Sequence, residues 1–319
     1  MADWSPHAPE HWYRYTRVEK WASLMARIVF EFLSFPSSLL AFFYTDRIHP
    51  AYGMTWWRTL VLALRIYRNT FCIWTLVSYK AHLVMAVKLL EIPPDVEGVV
   101  VECGCFRGGS SANLSLICDI VKRDLIIYDS FEGMPGPTTG DQFSSAQTAG
   151  QLAASQDMVR KAIGRYGVIE RCQFRKGWFA DTLPRHSEPI ATVFIDVDYQ
   201  SSLHECLINL WPHIVSNGLL FLDEFVLLDY CALFYSERYW ARYFGEKPPG
   251  LIGAGAGVGV GHYYFGPPFE TPPLQNAGSV AYTWKGNGAF WNYYPEDVAA
   301  GSDPEAPVVA RGEARTASD

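Results

Sequence analysis

The sequence predicts an α/β protein whose core is a doubly wound, mostly parallel sheet, preceded by an N-terminal helical extension. Residues 1–92 have helical character, and from Val99 onward short apolar runs alternate with longer helical segments. A glycine-rich turn follows the first of these runs. Strands that are apolar throughout and separated by helices are typical of a parallel sheet with helices on both faces.

Two helices are predicted within the N-terminal extension. The first covers residues 56–69 and the second residues 77–91, where Pro93-Pro94 ends it because proline disfavours helical geometry in the preceding residue. Between Tyr44 and Trp56 the chain is rich in turn formers and is predicted to be a loop. The apolar stripe of the first helix is predicted to consist of Leu60, Ala63, Leu64 and Tyr67.

After residue 98 the predicted elements alternate in type. The strands are Val99–Val101, Leu125–Tyr128, Gln173–Phe174, Thr192–Ile195 and Leu219–Leu222. The helices between and after them are Gly109–Lys122, Ser155–Tyr166, Ser202–Val215 and Leu233–Tyr243.

The C-terminal part of the chain contains two more β-like runs, Val258–Phe265 and Val280–Trp284, which are predicted to form a hairpin at the sheet edge. Residues 296–319 are rich in proline, alanine and charge and are predicted to be a disordered tail. We therefore divide the chain into an N-terminal helical region (1–92), an α/β domain (93–295) and the tail.

Composition excludes several classes of protein. The net charge of −7 and the lack of any basic block argue against nucleic acid as a partner. Seven cysteines without a CxxC pair indicate a reducing compartment, so a cytoplasmic location is expected. The longest uncharged early stretch, Phe32–Tyr44, has 13 residues, whereas a membrane-spanning helix needs about 20. No transmembrane segment is predicted.

The first strand leads into the turn Glu102-Cys-Gly104-Cys-Phe-Arg-Gly108-Gly109-Ser110. Glycines at such a turn let the backbone approach a ligand at the carboxyl ends of the strands. The acidic residue would repel a dinucleotide pyrophosphate, whereas it suits a ligand that carries an ammonium group. An ordinary tight strand–helix turn is the alternative.

A second acidic residue, Asp129, ends the second predicted strand, where an open α/β fold places a carboxylate on a ribose diol. It lies 27 positions after Glu102, which is about the length of one helix and one strand. The alternative interpretation is a helix-capping aspartate. Two acidic strand ends together indicate a nucleoside site more strongly than either does alone.

Four further carboxylates follow the fourth and fifth predicted strands, and neighbouring strands bring them to one rim. They belong to Asp196, Asp198, Asp223 and Glu224. Such a cluster is unfavourable unless its members are protonated, paired or bound to a cation, and oxygen ligands favour Mg²⁺, Ca²⁺ or Mn²⁺ over zinc. Helix capping or pairing with nearby arginines is the alternative.

Two other segments bear on the site. Trp178 and Phe179, after the third predicted strand, could form the wall for a flat purine base or simply pack in the core. The run Gly250–Gly261 resembles a phosphate loop but does not follow a strand or lead into a helix, so we predict a flexible loop. His262 follows this run and is a second candidate for a general base at the site.

These residues together resemble class I S-adenosylmethionine-dependent methyltransferases, and within them the TylF/macrocin O-methyltransferase family. The resemblance rests on five blocks that occur in the family's order: VVECGCFRGGSSANLSL, IYDSFEGMP, GWFADTLP, the DxD of IDVDYQSS and the acidic pair of LDEF. It implies a Rossmann-like seven-stranded sheet with a reversed terminal hairpin, S-adenosylmethionine as cofactor and, in many members, Mg²⁺.

The resemblance also implies a role for each matching residue. Glu102, Gly104, Gly108 and Ser110 would surround the methionyl part of the cofactor, Asp129 would bind the ribose hydroxyls, and Gly177, Trp178 and Phe179 would flank the adenine. Ser130 would also bind the cofactor. Asp196, Asp223 and Glu224 would bind metal, with Asp196 also counted among the catalytic residues, and Asp198 would be the general base. The family's acidic pair is usually Asp-Asp, whereas this chain has Asp223-Glu224.

Three functions remain open on the sequence alone. The first is an O-methyltransferase acting on the hydroxyl of a small secondary metabolite. The second is a metal-free carboxyl O-methyltransferase, in which the N-terminal loop is a lid that positions the acid through Arg47, His49, Tyr52, Trp56 and Trp57. The third is a non-catalytic protein that docks a partner or a membrane through its helices. A homodimer through residues 1–92 is also expected, because the chain is rich in tryptophan and apolar residues.

Overall fold

The computed structural model describes residues 17–75, 77–138, 141, 149–223, 225, 228–253 and 280–286. Within them the predicted α/β class is confirmed, including a seven-stranded sheet. The strands are β1 (Val99–Cys103), β2 (Leu125–Asp129), β3 (Cys172–Lys176), β4 (Ile190–Ile195), β5 (Ile214–Leu222), β6 (Ile252–Gly253) and β7 (Ala281–Trp284). The helices are α1 (Arg17–Phe43), α2 (Trp56–Cys72), α3 (Tyr79–Glu91), α4 (Gly109–Val121), α5 (Gln156–Tyr166), α6 (Phe179–Thr182), α7 (Gln200–Leu210), α8 (Leu228–Ala232) and α9 (Glu237–Tyr243).

The strands lie in the order β3-β2-β1-β4-β5-β7-β6. β1 pairs in parallel with β2 on one side and with β4 on the other, whereas β7 is antiparallel to both β5 and β6. The chain therefore moves outward from β1 to β3 and then returns to continue from β4 in the opposite direction. The point between β1 and β4 is a topological switch point, where open α/β sheets bind their ligands.

The five predicted strands of the parallel sheet are all present, each extended at one or both ends. Of the predicted hairpin, Val280–Trp284 corresponds to β7, while Val258–Phe265 lies outside the described residues. The prediction of a loop from Gly250 is wrong at Ile252 and Gly253, because their backbones pair with Tyr282 and Ala281 of β7. This pairing places β6 at the edge of the sheet.

The N-terminal helices form where the sequence predicts them, but the apolar stripe of α2 is rotated. Its buried residues are Thr59, Leu62, Ala63, Ile66 and Asn69, while Leu64 is 45% exposed. The cause is a polar anchor, since the Asn69 side-chain amide donates to the Asn113 side chain and to the Tyr166 carbonyl oxygen. These two hydrogen bonds turn the buried face toward α4 and α5.

Two C-terminal helices are shorter than predicted. The helix expected over 202–215 ends at Leu210 and continues as a 3₁₀ turn that contains Pro212, so β5 begins at Ile214. The helix expected over 233–243 is divided into a 3₁₀ turn over Leu233–Tyr235 and α9, with Ser236 capping α9 through its hydroxyl, and α8 precedes them. Proline and a capping serine are ordinary reasons for a helix to end or begin.

The N-terminal helices share the hydrophobic core of the sheet. One buried cluster runs from Phe42 through Leu83 of α3, Val100 of β1 and Ile117 of α4 to Phe221 of β5. The predicted boundary at residue 92 therefore does not separate two hydrophobic cores. Among the described residues, no helix combines the length and apolar character needed to cross a bilayer.

Candidate active site

The register of the sheet brings the carboxyl ends of five strands together. Cys103 of β1 lies beside Tyr128 of β2 and Ile195 of β4, and Ile195 lies beside Leu222 of β5. The next residues along each strand are therefore neighbours at the carboxyl edge of the sheet. They are Gly104, Asp129, Asp196 and Asp223. Gly177 follows Lys176, which lies beside Asp129, and it donates its N–H to the Asp129 carbonyl oxygen at 3.0 Å.

A cavity of about 340 Å³ lies over this edge. The structure brings ten of the predicted site residues to its wall. They are Gly104, Ser110, Asp129, Ser130, Gly177, Trp178, Phe179, Asp196, Asp198 and Asp223.

Gly104 makes the floor of the cavity possible. Its φ angle is +84°, and a Cβ atom there would lie 1.9 Å from the carbonyl oxygen of Asp196. Both the backbone angle and the close approach exclude a side chain at this position. The first strand can therefore turn away beneath the cavity without filling it.

Asp129 is fixed by backbone amides on both sides. Its Oδ2 accepts from Cys105 N–H at 2.8 Å and its Oδ1 from Phe131 N–H at 2.6 Å. Each carboxylate oxygen can accept more than one hydrogen bond, so a ligand hydroxyl can still be bound from the cavity. Ser130 shapes the same loop, since its hydroxyl donates to the Gly133 carbonyl and accepts from Glu132 N–H.

Glu102 and Gly108 lie beneath the cavity and are not among the residues that line it. Glu102 is fully buried and accepts a hydrogen bond from the Ser111 hydroxyl, while its Oε1 has no partner among the described residues. Burial raises the pKa of Glu102 to about 7, and the nearby charge of Asp129 adds to this effect. Gly108, with φ +81°, begins α4 and packs against Val159.

Asp198 stands out among the carboxylates because its backbone is strained. Its φ angle is +59°, and Tyr199 N–H donates to the Val197 carbonyl oxygen at 2.6 Å, which closes a γ-turn around it. Turns of this kind are rare and strained. Burial raises the pKa of Asp198 to about 6.

The predicted metal site is only partly described. Asp196 and Asp223 line the cavity, whereas Glu224 lies outside the described residues. Within the described part of the chain, no group of three or more His, Cys, Asp or Glu side chains is placed to hold a metal ion. The described side chains therefore do not form a complete metal site by themselves.

The residues predicted for the lid do not reach this cavity. His49 and Trp56 line a separate cavity between the end of α1 and the start of α2. His49 accepts from Ala51 N–H, and the buried Tyr52 donates its hydroxyl to the Ile92 carbonyl. The Tyr52 hydrogen bond, together with that from His49 N–H to the Leu90 carbonyl oxygen, holds the loop to the C-terminal end of α3. In this arrangement neither side chain lines the main cavity, and the lid stays a prediction. His262 lies outside the described residues.

Sequence reasoning missed several residues that line the main cavity. Trp74 and Thr75 come from the segment between α2 and α3, which carries no motif. Arg107 lies within the glycine-rich turn, whose pattern of glycines does not by itself indicate that the arginine lines the cavity. Thr138 and Ser201 are joined by Asp141, whose carboxylate accepts from both hydroxyls at 2.6 and 2.8 Å. Pairing at this distance along the chain leaves no local signal.

The strand order, the antiparallel β7 and the cavity at the switch point define the Rossmann-like fold of methyltransferases. A solved structure described as that of the O-methyltransferase NovP shares this fold, with a TM-score of 0.51 at 22% identity over 66% of this chain and 81% of that one. The chain belongs to the macrocin O-methyltransferase (TylF) family, whose profile matches residues 82–243. That match begins within α3, on the N-terminal side of the boundary predicted at residue 92.

Two curated relatives are also named as O-methyltransferases. One, a demethyldecarbamoylnovobiocin O-methyltransferase from Streptomyces niveus, is 29% identical over 170 residues. The other, an 8-demethyl-8-(2,3-dimethoxy-alpha-L-rhamnosyl)-tetracenomycin-C 4'-O-methyltransferase from Streptomyces olivaceus, is 30% identical over 171 residues. Each match covers 47% of this chain and 65% of the relative.

Proposed function

We propose that this chain is an S-adenosylmethionine-dependent O-methyltransferase that acts on a hydroxyl group of a small secondary metabolite. The observation that carries the proposal is the common level of Gly104, Asp129, Asp196 and Asp223 beneath one cavity at the switch point. The two curated relatives support it, because their names give them as O-methyltransferases of natural products.

The residues of the cavity fit the cofactor in three respects. Gly104 leaves open the space that a side chain would occupy, and Glu102 beneath it has a buried oxygen without a partner among the described residues, which suits a cationic group nearby. Asp129 has acceptor capacity left for the ribose hydroxyls. Trp178, 38% exposed, offers a flat apolar face for the adenine. Gly108, Ser110, Ser130, Gly177 and Phe179 would complete this site.

The chemistry needs an acceptor oxygen held in line with the transferred group, and a base for its proton. The cofactor, when bound, supplies an electrophilic methyl group on a sulfonium. Asp198 would accept the proton of the acceptor hydroxyl at its carboxylate, because it lines the cavity and its strained γ-turn directs it there.

We also propose magnesium as a second cofactor, with Asp196, Asp223 and Glu224 as its ligands. The two described members of this set contribute hard oxygen donors to the cavity. A bound divalent ion would lower the pKa of the acceptor hydroxyl. Transfer that is unchanged by EDTA would contradict this part of the proposal and, with an organic acid as acceptor, would favour the carboxyl-methylating alternative.

Binding of S-adenosylhomocysteine tests the proposed function directly. We expect a dissociation constant in the micromolar range by isothermal titration calorimetry. Asp129→Asn should weaken binding by about 10- to 100-fold, because charge-assisted hydrogen bonds to hydroxyls contribute roughly 1.5–3 kcal/mol. Asp157→Asn, on the exposed start of α5, is the matched control. A wild-type protein that does not bind would contradict the proposal.

We further propose that the chain forms a homodimer through α1. Phe35, Leu39 and Phe42 form a row of apolar side chains on α1 that packs into the core. This row, which we call the seam, continues toward the N-terminus with spacings of three and four residues, which is typical of helix pairing. In this N-terminal half, the seam is exposed. Its residues are Val18 (77%), Trp21 (66%), Met25 (49%), Ile28 (39%) and Phe32 (68%).

Light scattering coupled to gel filtration tests the dimer. We expect a mass twice the 35.9 kDa of one chain, and Phe32→Glu should shift it toward the monomer by placing a charge in the seam. Leu64→Glu, on the exposed side of α2, is the control. A monomer mass for the wild-type chain would contradict the proposal. A cytoplasmic location is proposed as well, supported by seven cysteines that are all free.

A further inference from the structure

Asp141 is a buried carboxylate that joins two segments of the cavity wall without lining the cavity itself. It is 1% exposed, and it contacts Thr138 and Ser201, which do line the cavity. Its Oδ2 accepts from the Thr138 N–H at 2.7 Å and from the Thr138 and Ser201 hydroxyls at 2.6 and 2.8 Å. Its Oδ1 accepts from the Ser201 N–H at 2.8 Å. Burial acts to raise the pKa of Asp141, but these hydrogen bonds outweigh it and hold the pKa below its usual range.

The two Ser201 contacts make Asp141 the cap of α7. Tyr199, the residue before this helix, gives no side-chain hydrogen bond to the first turn. Asp141 takes that place from 60 positions earlier in the chain. A negative charge is favourable beside the N-terminus of a helix, and a carboxylate is among the preferred capping groups. The direction in which α7 begins is therefore fixed by a distant part of the chain.

The helix that Asp141 caps begins directly after the strained turn at Asp198. A residue with a φ angle of +59° in such a turn keeps this conformation only where the chain around it is held in place. On the strand side, Asp196 N–H donates to the Cys103 carbonyl oxygen at 2.9 Å. On the helix side, the hydrogen bonds from Ser201 to Asp141 are the corresponding anchor.

We propose that Asp141 is a positioning residue for methyl transfer, which holds the Asp198 carboxylate at the reacting atoms by anchoring Ser201 at the start of α7. This inference rests on the proposed function, in which Asp198 takes the proton of the acceptor hydroxyl. Without the cap, the first turn of α7 loosens and the turn at Asp198 relaxes toward an ordinary backbone conformation. The base then moves away from the acceptor, although neither the cofactor nor the acceptor has lost a contact.

Asp141→Asn tests this role, because it preserves the size of the side chain but replaces one acceptor oxygen by an N–H₂ group that faces other donors. We expect kcat for methyl transfer to fall by about 10- to 100-fold, the usual effect of a reacting group displaced by about 1 Å. The dissociation constant of S-adenosylhomocysteine should stay within about twofold of wild type. Asp129 and Ser130, at the cofactor side of the cavity, are held by hydrogen bonds of their own. Unchanged kcat in Asp141→Asn would overturn the proposal.

A double-mutant cycle separates positioning from a general structural effect. If Asp141 acts through Asp198, then Asp141→Asn should lower kcat little further in a protein that already carries Asp198→Asn. Losses that multiply would overturn the proposal, because Asp141 would then act independently of the base. Wild-type turnover in Asp198→Asn alone would instead contradict the role given to Asp198 in the proposed function. A wild-type protein that does not bind S-adenosylhomocysteine would contradict the proposed function as a whole.

Ser236→Ala is the matched control. The Ser236 hydroxyl also caps a helix, since it accepts from the Tyr239 N–H of α9 at 3.2 Å, but Ser236 does not line the cavity. Both Ser236→Ala and Asp141→Asn should lower the melting temperature by a few degrees, and only Asp141→Asn should lower kcat.

A milder variant keeps the proposal testable if Asp141→Asn does not fold. Ser201→Ala removes the hydroxyl that donates to Asp141 and leaves the backbone N–H contact in place. We expect kcat to fall by about 3- to 10-fold, and to fall little further when Ser201→Ala is combined with Asp198→Asn. Wild-type kcat in Ser201→Ala, or losses that multiply in the combined variant, would overturn the proposal.

Discussion

Replacing Asp198 by asparagine is expected to lower kcat by about 10²- to 10⁴-fold, the usual contribution of a positioned base. Asparagine preserves the size of the side chain and also tolerates a positive φ angle, so the γ-turn at +59° is retained. What is lost is the capacity to accept the proton of the acceptor hydroxyl. Methyl transfer, followed by mass spectrometry on an acceptor found by screening hydroxylated natural products, measures the change.

The control for this variant is cofactor binding. Asp198→Asn should bind S-adenosylhomocysteine with wild-type affinity, so that the loss is confined to the chemical step. Glu205→Gln, another carboxylate of the cavity wall, should retain most of the activity. Wild-type turnover in Asp198→Asn would show that a different group takes the proton.

The second large effect is expected for Gly104→Ala. A positive φ angle of +84° costs a residue with a Cβ atom about 1–2 kcal/mol, and the new methyl group would lie 1.9 Å from the Asp196 carbonyl oxygen. Relief of this clash must move β1 away from β4 at the level of the cavity floor. We expect a lower melting temperature and a loss of S-adenosylhomocysteine binding of at least about 100-fold.

A matched substitution separates this effect from a general loss of glycine. Gly164→Ala lies within α5, where a Cβ atom meets nothing within 4 Å, and should leave stability equal or slightly higher. Thermal denaturation and calorimetry of both variants provide the comparison. A Gly104→Ala protein with wild-type melting temperature and affinity would contradict the role given to this residue.

The order of the elements could be predicted because parallel strands leave a strong local signal. β1, β2, β4 and the second half of β5 are apolar runs between helical segments, and the acids that follow Tyr128 and Ile195 mark where the cavity forms. Parallel pairing of β1 with β2 and with β4 then places these positions side by side. Ten of the site residues proposed from sequence thus line one cavity.

What could not be predicted depends on contacts between distant parts of the chain. Asn69 lies on the buried face of α2 because of its hydrogen bonds to Asn113 and Tyr166. The periodicity of apolar residues does not predict a polar residue on the buried face. Glu102 was expected to face the ligand, but the Ser111 hydroxyl holds it beneath the turn. His49 and Tyr52 carry polar groups in a loop and were expected to contact a substrate. Their side chains instead form hydrogen bonds with the backbone of Ala51 and Ile92, which stabilise that loop.

The core that α2 and α3 share with the sheet limits how this enzyme family can be recombined. An exchange of N-terminal segments cut at Pro93 would pair one parent's α3 with the other parent's α4 and leave mismatched side chains around Leu83 and Ile117. A crossover placed before Trp56 keeps α3 and α4 from one parent, and confines the mixed contacts to those of α1, such as Phe35 against Tyr67. Chimaeras intended to change acceptor preference should therefore be joined in the loop that precedes α2.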